Sequence, residues 1–261
     1  WELADFMSTR VMLTMAGLTL REAVNTRLAW AALGLAMVVV VLAQFGAAVS
    51  LAEAESTRVV LVAAALRLGY VVLLMLFIAS SMSREAEDKW LEVLMSLPLL
   101  RWQILLAKLT GYGLVALLLA LMGASLLGVW VAPDRVILWF VAFFGELLIV
   151  TAFTVFCMAS LRNLTLSVCA ALAFYLFCRI VAAVQLIAHT PITAADALHN
   201  AVQWTLDLLA LVLPRLDQFA HAGWLVGEVP AVTLGPLVLQ TVIYVMFLAV
   251  ATLFDLYRRN Y

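Results

Sequence analysis

The sequence predicts an all-α polytopic membrane protein, and three observations carry that reading. The chain has 261 residues, of which 67% are hydrophobic. Its mean hydropathy is +1.13. Charged residues make up 12%, where a soluble domain carries about 25%. A soluble chain of this length cannot hide so much apolar surface, so most of it must face lipid. Soluble enzymes, disordered segments and nucleic-acid binders are excluded as classes. The formal net charge of −1 implies neither an acidic nor a basic partner.

A bilayer core of about 30 Å takes about 20 apolar residues in a helix. Runs at 28–51, 59–82, 109–132, 136–161, 164–188 and 234–256 meet that length, so six transmembrane helices are expected within one domain over 1–261. The first and third runs carry no charge. The second carries Arg67, the fourth Glu146, the fifth Arg179 and the sixth Asp255 near its end. The apolar stretch 201–213 is too short to span and is interrupted by Asp207. It suits a re-entrant or interfacial half-helix within 189–233, before the sixth span. Cys157, Cys169 and Cys178 lie in apolar runs and read as small buried residues. His189, His199 and His221 all fall in the outer segment, but their spacing fits no zinc pattern, so no metal is expected.

Six spans put both termini on one side. Ten of the fifteen Lys and Arg residues fall on that side, three on the other, and Arg67 and Arg179 lie within spans. That bias predicts cytoplasmic termini. The chain opens on Trp1 rather than Met, and two readings stay open: residues 1–6 as a remnant or the tail of a longer chain, and Met7 as the native start. A charged n-region, a short apolar core and a cleavage site do not occur together, so no cleaved signal peptide is expected.

Between the spans, residues 8–26 are too polar to cross but helical in pattern. Arg10, Thr14, Gly17, Arg21 and Asn25 recur at helical spacing, with Val11, Met12, Met15, Leu18 and Leu20 among the rest. The expected element is an amphipathic helix in the cytoplasmic interface, with early extension of the first span as the alternative. The loop 83–108 predicts a structured cytoplasmic helix. Ser83 is a candidate cap, Glu85, Glu87 and Asp88 suit a first turn, and Glu85 and Lys89 form an i,i+4 pair. Leu91, Leu94 and Met95 make an apolar face, and Pro98 ends or kinks the helix. Such a helix suits docking to a partner, against the plainer reading of a solvated connector.

Arg67, Glu146 and Arg179 are the candidates for intramembrane chemistry. A charge at the centre of a span costs about 2.5–3.5 kcal/mol on insertion scales. Such groups face the bundle interior and pair, so Glu146 is expected to pair with at least one arginine. Two roles stay open: lining a transport pathway or holding an anionic head, and fixing helix packing. Arg67 has a further option, snorkelling outward. No G-x-x-x-x-G-K-[ST], H-E-x-x-H or G-x-S-x-G occurs. No catalytic set can be assembled, and any driven work must draw energy from a partner or an ion gradient.

With these residues in view, the stretch Ser83–Lys108 resembles the loop signature of ABC-2 type permeases, the membrane subunits of a class of ABC exporters. The matching positions are Ser83-Arg84-Glu85, Leu91-Glu92, Leu94, Ser96-Leu97-Pro98, Arg101, Ile104-Leu105-Leu106 and Lys108. Leu20-Arg21-Glu22-Ala23 with Arg27 is similar to the family's amphipathic entry into the first span. Leu213-Pro214-Arg215-Leu216-Asp217-Gln218-Phe219 is similar to the stretch before the last span. The order of parts matches over nearly the whole chain. The loop departs from the family pattern at Asp88-Lys89-Trp90, where a small turn-like pair is expected, and this bears on docking geometry.

The resemblance implies a permease subunit in the bacterial cytoplasmic (inner) membrane that is not itself an enzyme. It implies ABC ATPase subunits as partners, which bind ATP and Mg, and a second permease chain forming a homodimer. It makes the helix after span two a coupling helix, with Arg84, Glu85, Glu87, Asp88, Trp90, Leu91, Glu92, Leu94 and Met95 as the ATPase contact. Alternatives from other classes are a stand-alone secondary transporter and a non-transporting scaffold or intramembrane enzyme. Spans 1–3 and 4–6 show no convincing repeat of the kind a secondary transporter would favour. The substrate is not written in these residues.

Overall fold

The computed structural model describes residues 14, 16–25, 28–49, 54–87, 101–189, 213–219, 223–226 and 234–258. Among them every regular element is a helix. The helices are α1 (16–25), α2 (Leu28–Val49), α3 (Ala54–Glu87), α4 (Arg101–Leu127), α5 (Pro133–Leu161), α6 (Leu164–His189), α7 (Leu216–Phe219), α8 (Gly223–Val226) and α9 (Leu234–Arg258). Among the described residues, α2, α3, α4, α5 and α9 are long and apolar enough to cross a membrane. The protein is an all-helical polytopic membrane protein.

α5 is the central post. It packs against α3, α4, α6 and α9, and the short α7 and α8 also lean on it. Its buried face includes Trp139, Phe143, Glu146, Leu147, Val150 and Thr154. Thr151 and Thr154 donate back to Leu147 and Val150, which satisfies both hydroxyls without a partner from another helix. At the other extreme, α2 packs along α3 and α9 along α5, while Trp30, Met37, Phe45, Met246, Phe247 and Phe254 stay exposed. Those outward apolar faces suit lipid.

Local chemistry sets the ends of these helices. α3 runs through Ser83 to Glu87 as one helix of 34 residues. Ser83 therefore does not cap a new helix as the sequence suggested. The polar residues after Met82 are adequate helix formers, and nothing among them breaks the ladder. α4 begins at Arg101 rather than 109 and ends at Leu127 rather than 132. Its amphipathic first turn is invisible to a hydropathy window, and it closes on a turn in which Trp130 N–H and Val131 N–H both donate to Leu127 C=O. Pro133 then sits in the first turn of α5, where a missing N–H costs nothing. α5 ends on Arg162, whose left-handed φ of 51° returns its N–H to Met158 C=O. The Asn163 side chain accepts the Leu166 N–H at 3.2 Å and so starts α6.

α6 buries one stripe, Ser167, Ala171, Tyr175 and Cys178, at spacings of one helical turn. Cys169 lies off that stripe and is exposed, which corrects the expectation that all three cysteines are buried. In α1, Gly17, Arg21 and Asn25 are exposed and Ala16 and Ala23 buried, but Leu18 and Val24 are exposed as well, so the apolar residues do not all share the buried face. Gly111 of α4 lets α1 approach. A Cβ there would lie 2.8 Å from Thr19 Oγ1 and 3.4 Å from the Ala16 backbone.

Candidate functional site

Arg67 of α3, Glu146 of α5 and Arg179 of α6 meet. Glu146 is fully buried. Its Oε2 lies 3.2 Å from Arg67 Nη1 and its Oε1 lies 3.2 Å from Arg179 Nη1. The Arg179 contact is also a hydrogen bond, whereas Oε2 is held by charge alone and accepts no hydrogen bond among the described residues. Arg179 Nη1 donates as well to Tyr175 Oη at 3.1 Å, one turn back on α6. The Arg67 guanidinium lies 5.5 Å from the Trp139 ring and 5.6 Å from the Phe143 ring. At about 4 Å, opposite charges attract by roughly 4 kcal/mol in a protein-like dielectric. The attraction offsets a desolvation cost of several kcal/mol per ion.

Arg67 does more than pair. It donates to the Phe219 carbonyl at the end of α7, so it does not snorkel outward. Phe219 lies deep in the bundle, because a Cβ on Gly145 would meet its ring at 3.0 Å. Further along, Arg135 Nη1 donates to Leu225 C=O at 3.2 Å and to Val226 C=O at 3.4 Å. Arg135 and Gly145 are separated by about 15 Å along α5 at 1.5 Å per residue. Phe219 and Val226 are therefore held at levels about that far apart along α5. Leu216, Phe219, Trp224 and Leu225 are buried. Among the described residues, α7 and α8 are two short helices held against α5, in the segment before α9 where re-entrant or outer half-helices were expected. Irregular backbone at such depth is tolerated only when protein satisfies its polar groups, and the two arginines do so at either end. Gly145 makes the approach possible, since a Cβ there would also come within 2.7 Å of Thr241 Oγ1 of α9.

A second polar cluster lies at the Glu87 end of α3, about 26 Å along that helix from Arg67. Glu22 of α1 accepts from Ser81 Oγ and from Arg84 Nη2, each at 3.0 Å. Tyr112 Oη of α4 donates to Ser81 Oγ at 3.3 Å. Glu85 of α3 forms an ion pair with Lys108 of α4. Three helices are thereby tied near the two described residues that flank 88–100, Glu87 and Arg101.

The structure thus brings the three intramembrane charges together, and sets Arg84 and Glu85 apart from them in the second cluster. Glu87 is the last residue of α3. Asp88, Trp90, Leu91, Glu92, Leu94 and Met95 lie outside the described residues, as do Lys89, His199 and His221. Sequence reasoning missed Tyr175, the Phe219 carbonyl, Ser81 and Tyr112. The re-entrant or interfacial half-helix expected at 201–213 lies, up to residue 212, outside the described residues. Among known proteins, no family model and no curated sequence matches the chain.

Proposed function

We propose that this chain is the membrane permease subunit of an ATP-driven ABC-2 type exporter. In this reading the bundle forms the translocation pathway, and the loop after the second span couples it to a separate ATPase subunit. The observation that carries the proposal is the Ser83–Lys108 signature, together with the joining of that loop's two ends by the Glu85–Lys108 ion pair. A push on a loop rooted in this way acts on α3 and α4 together. Glu22 passes it to α1 through Ser81 and Arg84. α3 then leads directly to Arg67 and the buried triad.

Six spans belong to the same reading. α6 has 26 residues, about 39 Å at 1.5 Å per residue, which exceeds the hydrocarbon thickness. The Lys and Arg bias supports cytoplasmic termini, and the resemblance implies a bacterial inner membrane. ATP and Mg bind to the ATPase, since the sequence holds no P-loop. A second copy of this chain completes the pathway.

The test is substitution of Glu85, Asp88 and Glu92 by alanine in the chain co-expressed with the ATPase of its own operon. The expected result is loss of ATPase binding or of stimulated ATP hydrolysis, with an unchanged thermal melt of the bundle. An intact complex with normal stimulated hydrolysis would overturn the coupling assignment.

A further inference from the structure

The triad holds two guanidiniums and one carboxylate, so its formal charge is +1. A lone charge this deep is expensive unless something neutralises it. Arg67 is fully engaged: it is 2% exposed, ion-paired to Glu146, bonded to Phe219 C=O and placed over two aromatic rings. The unbalanced charge therefore resides on Arg179, whose side chain is 31% exposed. Its contacts to Glu146 and Tyr175 both use Nη1. The remaining N–H donors of the guanidinium, on Nη2 and Nε, have no partner among the described residues. Beside it, Leu176, one turn back on α6, is exposed apolar surface, and Ile180 on the next position is exposed as well. A fork of donors rimmed by hydrocarbon suits an oxyanion carried on an apolar body.

We propose that Arg179, held in place by Glu146 and Tyr175, binds the carboxylate or phosphate of an anionic amphiphile. Arg179 lies about 15 Å along α6 from His189. A lipid at rest keeps its headgroup at the bilayer surface, so a headgroup that reaches Arg179 has been drawn inward. That places the ligand among molecules being moved rather than among the surrounding lipid. The word cargo rests on the transport reading above, and the binding site itself does not.

The experiment uses the full chain in phosphatidylcholine nanodiscs, without any ATPase, titrated calorimetrically with oleate, oleyl alcohol and inorganic phosphate. A hydrogen-bonded charge pair predicts that oleate binds saturably and at least about tenfold more tightly than oleyl alcohol. Arg179→Gln should lose at least about tenfold in oleate affinity, and Arg179→Lys, which keeps the charge but not the fork, should fall between Arg179→Gln and the wild type. Removing the unbalanced charge should leave the thermal melt of Arg179→Gln unchanged or higher. Equal binding of oleate and oleyl alcohol would overturn the site, as would wild-type oleate affinity in Arg179→Gln. Inorganic phosphate binding as tightly as oleate would overturn the amphiphile assignment, because the apolar rim would then add nothing. The isotherm is independent of ATP hydrolysis, so its failure and that of the exporter reading are separately visible.

Discussion

The Glu146 triad and the Glu22–Glu85 cluster use the same chemistry in opposite surroundings. Both set carboxylates against basic residues from neighbouring helices. Glu146 is fully buried, and Arg67 nearly so. In the cluster, the side chains of Arg84, Glu22 and Glu85 are exposed by 52%, 34% and 35% and that of Lys108 by 16%, over the buried Ser81 and Tyr112. A buried pair is costly to form and costly to break, since loss of one partner strands a charge. An exposed pair contributes about 0–1 kcal/mol and is screened by salt. The difference separates contacts that are costly to break from contacts that can be remade at little cost. The triad pins three helices and the end of α7, whereas the cluster joins α1, α3 and α4 loosely near Glu87 and Arg101.

The largest test of that contrast is Glu146→Gln. It keeps the shape and leaves the buried Arg67 and the partly exposed Arg179 with no carboxylate between them. The expected loss is about 3–5 kcal/mol, read as a lower melting temperature in detergent. A wild-type melt would show that the two ends of the molecule do not differ as described. Next comes Gly145→Val, which drives a side chain into Thr241 and Phe219 and should cost about 1–3 kcal/mol. It should also loosen α7 and α8 from α5, checked by faster labelling of a cysteine placed at Leu225. The smallest effect belongs to Glu85 and Lys108. A double-mutant cycle on the pair should give a coupling below about 1 kcal/mol that fades at high salt. A salt-insensitive coupling near that of the triad would erase the contrast.

Much of this architecture was legible in the sequence because lipid imposes a simple rule on helices. Length and apolarity locate α2, α5, α6 and α9 closely. The cost of a buried charge makes the Glu146 pairing predictable from the presence of Arg67 and Arg179 alone. Helix ends were less legible. α3 continues past Met82 and α4 starts at Arg101 because hydrogen bonding and turn chemistry set the ends, not hydropathy. The contact between Arg67 and the end of α7 was least legible. Phe219 reaches Arg67 through a backbone carbonyl, a group every residue carries, and so no residue type announces it. The Arg84–Glu22 contact joins positions 62 residues apart and has no local signature either.

The central claim is that this bundle is driven by an ATPase it does not contain. The most direct measurement purifies the chain from its native membrane in mild detergent and assays ATP hydrolysis in the eluate. The account predicts a co-eluting ATPase whose activity falls when this chain is removed. A chain that elutes alone, although its operon neighbours are expressed, would contradict it and return Glu146 and its arginines to a stand-alone transporter.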